Sequence, residues 1–313
     1  MTPGAPLTRR AVLAAAVGAA VSTLAGCTLG QSPPRLAMAC GERGGTYVQF
    51  GDLLRAVLAR RGAASLAVLE SGGSIDNLAM LGSREADLAI ALADAVTGHE
   101  GEVVAIGRIY QNYLQCVVRA DGDVRALEDL AGRVVAAGAP GSGAALTASR
   151  VLDAAGLRTG PAAVGSVALL LPDAIAALAD GTIDAFFWSG GVPIPEVERR
   201  RGTLAVRLLD LTPTLPTLSA EHPGVYASTS VPSGVYDAPA PVPAIGVSNL
   251  LLASPDLPDA TAAGLVDALV EDAQALVPDD SVGVQYLSAP SLIDTDPVPL
   301  HDAARRRYRE RYG

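Results

Sequence analysis

The sequence contains no lysine, and all 23 of its basic residues are arginine. This absence excludes a phosphate-binding P-loop lysine, a Schiff-base lysine and a lysine general base. Histidine is also scarce, since the chain has only His99, His222 and His301, and no two of them have the spacing of metal ligands. We therefore expect a protein that is not an enzyme and that holds neither a metal ion nor a cofactor.

Cysteine is rare as well, and the first of three cysteines follows a segment typical of an export signal. Arg9 and Arg10 precede a small and apolar run over 11–24, which is shorter than the ~20 apolar residues that a membrane-spanning helix needs. The sequence Leu-Ala-Gly-Cys then ends at Cys27. This order predicts a signal peptide over 1–26, cleaved before a lipid-modified cysteine. The paired arginines are typical of twin-arginine (Tat) export, and an ordinary Sec signal also fits.

A lipid on Cys27 would tether the chain to the outside of a membrane, so we expect an extracytoplasmic, lipid-anchored protein. Residues 27–35, with two successive prolines, form the predicted tether. Only Cys40 and Cys116 then remain as thiols. Outside the cytoplasm they could form a disulfide or stay unpaired in the core, and both alternatives remain open.

Acidic residues outnumber basic residues by 33 to 23, which gives a net charge of −10. Removal of the predicted signal peptide takes away two arginines and no acid, so the mature chain is more acidic still. Nucleic-acid binding depends on clustered cations, so this charge argues against a nucleic-acid partner. The mature chain also reaches the ~250 to 300 residues at which single cores stop growing, so we expect two lobes.

Strands alternate with helices along most of the chain. This order predicts an α/β fold in which each lobe has a mixed, mostly parallel sheet flanked by helices. The predicted strands include 88–92, 103–109, 114–118 and 242–253. The predicted lobes are 36–120 plus 243–313 for lobe 1 and 121–242 for lobe 2. A hinge is expected near the two crossings, Arg119 and Val242.

The two predicted lobes repeat one local pattern. Residues 81–90 and 178–187 each run from a helix end through a turn and an acid into an apolar strand. The acid is Asp87 in the first segment and Asp184 in the second. We therefore predict that both lobes are built on one βαβ plan.

Three glycine-rich loops, over 41–46, 71–74 and 138–143, each lie between a predicted strand and a helix start. Ser74 is a plausible N-cap of the second helix. Ligands bind at the carboxyl ends of strands in open parallel sheets, and helix N-termini offer free N–H groups to an anion. Each loop alone could be a plain tight turn. Three in register across two lobes predict a site for a small anionic solute.

Individual motifs narrow the alternatives. The first loop does not match the dinucleotide fingerprint, because its third glycine is misplaced. Ser142 is not in a Gly-x-Ser-x-Gly nucleophile elbow, because Ala144 stands where the last glycine is required. Arg43 could grip a carboxylate bidentately, or it could be solvated or paired with Glu42. Trp188, the only tryptophan, could wall a pocket or simply pack in the core.

The ordered set of motifs over 36–313 resembles the TAXI-type receptors, the extracytoplasmic solute-binding proteins of one class of TRAP transporter. The matching segments are Gly44-Gly45-Thr46-Tyr47, Ser71-Gly72-Gly73-Ser74 with Asn77-Leu78, Glu85-Ala86-Asp87-Leu88-Ala89, residues 138–143, and residues 183–187 followed by Gly190 and Pro193. The resemblance implies a two-lobed, periplasmic-binding-protein-like clamshell. It also implies that a small dicarboxylate, such as L-glutamate or 2-oxoglutarate, is held between the lobes and delivered to a membrane permease. The chain departs from the family pattern at Val48, Ala144 and Trp188, so the resemblance does not fix the ligand.

The candidate ligand-binding residues combine the three loops with this resemblance. They are Arg43, Gly45, Thr46, Tyr47, Ser74, Asn77, Asp94, Gly141, Ser142, Gly143, Trp188 and Gly190. We expect backbone N–H groups of the third loop to meet the ligand charge, with Arg43 as a second anchor from the opposite lobe. The expected partner is a TRAP-type permease, and the receptor is expected to be a monomer. A sensor kinase is the alternative partner for the same clamshell, and an extracytoplasmic hydrolase is a third interpretation.

Overall fold

A mixed sheet of ten strands organises the chain, for which a computed structural model describes residues 33–99, 101–278 and 287–313. The predicted signal peptide over 1–26 and the predicted lipidation site Cys27 lie outside the described residues. Within the described ranges, no helix combines the length and the apolar character needed to cross a bilayer.

Strands and helices alternate as the sequence predicts. The strands are β1 (Arg35–Gly41), β2 (Ser65–Glu70), β3 (Leu88–Leu92), β4 (Val104–Arg119), β5 (Val134–Ala136), β6 (Gly165–Val167), β7 (Ala185–Gly190), β8 (Val206–Leu208), β9 (Tyr226–Val231) and β10 (Val242–Ala253). The helices are α1 (Thr46–Arg61), α2 (Ser74–Gly82), α3 (Gly143–Ala154), α4 (Leu171–Asp180), α5 (Pro195–Glu198), α6 (Leu215–Glu221), α7 (Asp259–Glu271), α8 (Ala289–Ile293) and α9 (Asp302–Tyr312). Short 3-10 helices cover Ala93–Val96, Leu127–Leu130, Thr212–Thr214, Val235–Asp237 and Ala273–Leu276.

The order of strands explains how two lobes share one sheet. The order is β2-β1-β3-β10-β4-β7-β5-β6, with β8 paired to β4 and β9 paired to β10. β1 is parallel to β2 and β3, and β5 is parallel to β6 and β7. β10 is antiparallel to β3, β4 and β9, and β4 is antiparallel to β7 and β8. Two parallel groups therefore flank a long antiparallel pair.

The strand β4 differs from its prediction. The prediction of two strands, over 103–109 and 114–118, is wrong, because Val104–Arg119 forms one continuous strand of 16 residues. The polar residues Gln111 and Asn112 interrupt the apolar pattern, yet both are buried within the strand. β10 pairs with β4 from Ile245 opposite Leu114 to Ala253 opposite Val104, so the interruption falls inside a paired region.

The hydrophobic core divides along β4. Ile106 and Ile109 pack into a core with α1, α7 and α9, whereas Leu114 and Cys116 pack into a second core with α3 and α6. The residues of β10 divide in the same way. The antiparallel pair β4 and β10 therefore runs from one of these two cores to the other.

Local signals fix the ends of the helices that matter for the site. α1 buries Phe50, Leu54, Val57 and Leu58, which recur at helical spacing, and it ends at Gly62 in the left-handed conformation. The prediction that Ser74 is an N-cap is wrong, because Gly73 has that position and Ser74 is the first residue of α2. The Ser74 hydroxyl instead accepts a hydrogen bond from the Leu92 backbone N–H at 3.1 Å, because Ser74 faces β3.

The predicted repeat is confirmed by two matching contacts. The Asp87 carboxylate accepts a hydrogen bond from the Ala37 backbone N–H at 2.8 Å, and the Asp87 N–H donates to the Ala37 carbonyl. The Asp184 carboxylate accepts from the Val134 N–H at 2.9 Å, and the Asp184 N–H donates to the Val134 carbonyl. Each aspartate thus fastens the start of one strand to the start of its parallel neighbour.

Cys40 and Cys116 are both free and buried, so of the two alternatives for these thiols the structure has the unpaired one. They belong to different cores. Burial raises the pKa of Cys40 to about 12 and also raises that of Cys116. Neither thiol is therefore a reactive nucleophile at neutral pH.

Candidate functional site

A cavity of about 70 Å³ lies where the N-termini of α1, α2 and α3 meet, and we call it the interlobe cavity. α1 and α2 come from the lobe that contains β1 to β3, and α3 comes from the other lobe. An outer cavity of about 160 Å³ shares Glu42, Gly45, Thr46 and Trp188 with it. The site is thus built at the carboxyl ends of strands, where the sequence predicts it.

The first loop contributes the start of α1. Gly45 is the N-cap residue, and Thr46 and Tyr47 form the first turn next to the cavity. The first N–H groups of a helix have no acceptor within the helix, so this end carries free donors and a partial positive charge. The Tyr47 hydroxyl lies 3.2 Å from the Ser74 hydroxyl, which ties the first loop to the second. Burial raises the pKa of Tyr47, so it is a neutral phenol.

The third loop contributes the start of α3. Ser142 is its N-cap residue: the hydroxyl accepts from the Ala145 N–H at 3.1 Å and donates to the Ala139 carbonyl at 2.7 Å. Gly143 and Ala144 follow in the first turn and line the cavity. The Gly141 carbonyl accepts a hydrogen bond at 3.1 Å from the N–H of Ile75 in α2. The third loop therefore touches the opposite lobe and presents its helix terminus to the cavity.

Gly143 must be a glycine for the two lobes to approach this closely. A Cβ atom at this position would lie 2.5 Å from the Ser74 hydroxyl and 2.6 Å from the Leu92 Cδ1 atom. Both distances are shorter than any normal contact. A larger residue would push the N-terminus of α3 away from the other lobe.

Trp188 lines both cavities. Its indole ring lies over Gly190, where a Cβ atom would come within 2.5 Å of the indole nitrogen. Gly190 itself is outside the cavity lining and leaves space for this ring. Trp188 also packs against a hydrophobic core, so it combines the two roles that the sequence leaves open.

The charged groups of the site are few. Glu42 lines the interlobe cavity, and burial raises the pKa of its carboxyl. Arg43 lines only the outer cavity, its side chain is 85% exposed, and it pairs with Glu70 at 2.8 Å. Among the described residues, no cationic side chain lines the interlobe cavity. The structure thus separates Arg43 from the third loop rather than bringing the two together.

Asn112 lies in the middle of β4 and lines the interlobe cavity with a side chain that is only 2% exposed. Its amide nitrogen donates to the Ser189 hydroxyl at 3.2 Å. Its Oδ1 atom has no hydrogen-bond partner among the described residues. A buried acceptor without a donor destabilises a protein, so this oxygen marks a place where a partner is missing.

Asn77 lies behind the loops instead of facing the cavity. Its amide nitrogen donates to the carbonyls of Cys40 and Ile90, and its Oδ1 atom accepts from the Ser71 hydroxyl. All of these groups lie in or next to the loops that surround the site. Asn77 therefore holds the loop backbones in position.

Asp94 joins the two lobes beside the cavity, and we call Asp94, Thr147, Arg150 and Tyr226 the Asp94 cluster. The Asp94 Oδ2 atom accepts from the Thr147 hydroxyl at 2.7 Å and from the Tyr226 hydroxyl at 3.0 Å. The Arg150 guanidinium lies 3.6 Å from the same oxygen and donates to the Asp94 carbonyl at 3.0 Å. Asp94 follows β3, whereas its three partners belong to α3 and β9.

The Asp94 carboxyl is completely buried, and its Oδ1 atom has no partner within the described part of the chain. Burial raises its pKa, against the opposing effects of the Thr147 hydrogen bond and the Arg150 charge. Burial and the Arg150 charge lower the pKa of neighbouring His222. Because Asp94 is outside the cavity lining, its visible role is to connect lobes rather than to touch a solute.

The structure gathers most of the predicted loop residues but adds others that sequence reasoning missed. Glu42, Leu92, Asn112 and Ser189 line the interlobe cavity. The sequence prediction includes Glu42 only as a partner for Arg43, although an acid in a glycine-rich loop before a helix is a signal of a binding residue. For Asn112 the signal was a buried polar residue in an apolar strand.

Comparison with known proteins supports this architecture. The model of the NMT1-like family matches residues 38–311. A putative L-cystine ABC transporter from Listeria monocytogenes is 12% identical, with 77% of this chain and 92% of that chain covered and a TM-score of 0.51. XAC2383 from Xanthomonas citri, bound to ATP, is 14% identical, with 90% and 95% covered and a TM-score of 0.50. At these identities the likeness shows the fold, which is two-lobed and periplasmic-binding-protein-like.

Proposed function

The chain belongs to the NMT1-like family, and from this membership and the geometry of the cavity we propose that it is an extracytoplasmic solute-binding receptor. It captures a small solute between its lobes and delivers it to a membrane permease. The solute carries at least one carboxylate, as L-glutamate and 2-oxoglutarate do.

One observation carries this proposal: helix N-termini from both lobes converge on a cavity that no cationic side chain lines among the described residues. Free N–H groups and the helix dipole bind an anion without a counter-ion from a side chain. Because α1 and α2 belong to one lobe and α3 to the other, a bound carboxylate touches both. Binding therefore favours the closed clamshell.

A thermal-shift panel of dicarboxylates, amino acids and phosphates tests the proposal. A solute that binds only the folded state adds about 2.7 kcal/mol at a hundred times its dissociation constant. Small-angle scattering with the same solute should then show a smaller radius of gyration than without it. A panel without any stabilising solute, or a scattering profile that never changes, would contradict a solute receptor.

The hinge of this motion is proposed to lie within β4 and β10. The cores change over between Ile109 and Leu114, inside β4, and not at the predicted crossing near Arg119. The pairing register of β10 with β4 shifts between Asn249 and Leu250, at the same level of the sheet. An irregular register is a place where a strand bends more easily.

The proposed partner is a TRAP-type permease, on the basis of the resemblance to TAXI-type receptors. A sensor kinase would use the same closed form, so the two partners differ only in what they do with it. Solute uptake by cells that carry or lack a neighbouring permease gene distinguishes them. Uptake that needs both the permease and the receptor supports transport, and solute-dependent phosphorylation without uptake supports sensing.

The proposed membrane anchor is the lipid on Cys27, and it has its own test. Cys27→Ser removes the thiol that accepts the acyl chain, so the folded body should move from the membrane to the soluble fraction. Fractionation without detergent measures this change. If the variant still sediments with membranes, the lipid is not the anchor.

Catalysis has little support from the residues around the cavity. The described residues contain no group of three or more His, Cys, Asp or Glu side chains that could hold a metal ion. The Ser142 hydroxyl donates to a backbone carbonyl and caps α3, so it is occupied. Turnover of ester or amide substrates by the purified protein would revive the hydrolase interpretation.

A further inference from the structure

We infer that the solute also carries a protonated amine, which Glu42 and Asn112 bind within the interlobe cavity. This inference rests on the proposed function and deepens it, because it selects amino-acid-like zwitterions over nitrogen-free acids such as 2-oxoglutarate.

The Glu42 carboxylate has no bonding partner among the described side chains. This carboxylate lines the interlobe cavity, yet it has no hydrogen bond or ion pair with any described side chain. The adjacent cation, Arg43, turns outward to Glu70 instead. A half-buried carboxylate without a partner is costly, and a cationic group from the solute would remove that cost.

Asn112 supports the same inference independently of charge. The Asn112 Oδ1 atom is a buried acceptor without a donor among the described residues, and Asn112 lines the same cavity. The Asn112 amide nitrogen donates to the Ser189 hydroxyl. The Glu42 carboxyl and the Asn112 oxygen are therefore two acceptors on one cavity. A protonated amine has three N–H donors and no acceptor, so it matches these two acceptors.

A solute with two carboxylates fits this cavity less well. Both carboxylates would share a cavity of about 70 Å³ with the Glu42 carboxyl, and no cationic side chain lines it among the described residues. Like charges at close range repel each other unless one of them takes a proton. A zwitterion avoids this conflict, because each of its charges meets the opposite sign.

The experiment compares each common L-amino acid with the 2-oxo acid of the same carbon skeleton, by thermal shift and then by calorimetry on the purified protein. We expect at least one amino acid to bind, and its 2-oxo acid to bind at least tenfold more weakly, since a charge-assisted hydrogen bond is lost. Glu42→Gln should weaken the amino acid by roughly ten- to a hundredfold and leave a 2-oxo acid with a single carboxylate within about twofold.

Glu70→Gln is the matched control, since it removes an equal charge from an acid that lies outside the interlobe cavity. It should bind the amino acid like the wild type. Asn112→Leu removes the second acceptor and should also weaken the amino acid selectively. If Asn112→Leu fails to fold, Glu42→Gln still decides the matter, because Glu42 is only half-buried and its variant should melt like the wild type.

Different results would overturn the amine site and the receptor function. If a nitrogen-free acid binds as tightly as its amino acid, or Glu42→Gln binds the amino acid like the wild type, the amine site is overturned while the receptor stands. If nothing in either series binds, the receptor function is overturned and the amine site with it.

Discussion

The Asp94 cluster and the interlobe cavity lie side by side between the lobes, but they differ in how many of their polar groups are bonded across the lobes. In the cluster, Thr147, Arg150 and Tyr226 from one lobe all bond to an acid from the other. In the cavity, Glu42 and the Asn112 oxygen have no bond to a described side chain. The Asp94 cluster holds the lobes to each other, whereas the interlobe cavity leaves polar groups open for a solute.

This difference shows how one contact surface can serve both closure and recognition. Polar groups that satisfy each other contribute to the closed state without a solute. Polar groups that lack partners destabilise the empty closed state. A solute that bonds to these groups stabilises the occupied closed state. Variants in each region can show whether the Asp94 cluster stabilises closure and the interlobe cavity recognises the solute.

The largest effect is expected for Asp94→Ala. The substitution leaves the Thr147 hydroxyl, the Tyr226 hydroxyl and the Arg150 guanidinium without their shared partner. Breaking a buried ion pair by removal of one side costs about 3 to 5 kcal/mol. Urea denaturation should show a loss of this size in the free energy of unfolding.

The control for this experiment is Glu221→Ala, which removes an exposed acid next to His222 at the edge of the same cluster. It should change the free energy of unfolding by no more than about 0.5 kcal/mol. Equal effects from the two variants would mean that the Asp94 cluster contributes no more than an ordinary surface acid.

The next effect is expected for Gly143→Val, and it concerns binding more than folding. The side chain would meet Ser74 and Leu92 of the opposite lobe, so closure is blocked. Overpacking costs about 1 to 3 kcal/mol, which weakens solute binding by roughly ten- to a hundredfold. Calorimetry measures the change, and Gly264→Val in α7, where a Cβ atom meets nothing within 4 Å, is the control. Normal binding by Gly143→Val would place the site elsewhere.

A smaller effect is expected from pH, and it isolates the Asp94 carboxyl. Its pKa is raised in the folded state, so between the unfolded value of about 3.9 and the raised value the folded protein holds an extra proton. The stabilisation that this proton gives is complete below the unfolded pKa and is lost as pH rises through the folded pKa. The stability of the wild type relative to Asp94→Asn should therefore fall with rising pH, by up to about 1.4 kcal/mol per unit.

The comparison with Asp94→Asn is needed because other acids change the stability in the opposite direction as pH rises. Hydrogen bonds from arginines lower the pKa of Glu271 and of Asp272, so their contributions are lost as pH falls. Both variants contain these acids, so they cancel in the difference. A difference that stays constant with pH would show that Asp94 titrates normally.

The smallest effect is expected for Arg43→Ala. The Arg43 side chain is largely exposed and pairs with Glu70 outside the interlobe cavity, so its removal should change stability by less than about 1 kcal/mol. Solute binding should change by less than about threefold, because only the outer cavity contains this residue. A tenfold loss of affinity would restore Arg43 as the second anchor that the sequence suggests.

The sequence predicts the positions of the three loops well because each depends on local signals. Glycine, a capping hydroxyl and the apolar period of a helix all lie within a few residues of one another. Contacts between residues far apart in the sequence carry no such signal. The sequence therefore does not show that Arg43 pairs with Glu70, or that Asp94 bonds to Thr147 and Tyr226.

The error in β4 has a more instructive cause. Gln111 and Asn112 broke the apolar pattern, and a polar interruption usually marks the end of a strand. Here the strand continues, and the interruption occurs where it passes from one core to the other beside the cavity. A polar interruption in the apolar pattern of a strand can therefore mark a binding site within one continuous strand.

Asp87 and Asp184 each bond their own strand to the neighbouring parallel strand, at the strand ends that lie away from the cavity. The architecture of each lobe is therefore secured at one edge of the sheet, while chemistry is confined to the opposite edge. Substitutions of side chains that line the cavity, such as Glu42 or Asn112, can then change the solute that is bound without disturbing these contacts. Specificity and foldability are, to this extent, separately evolvable properties of one chain.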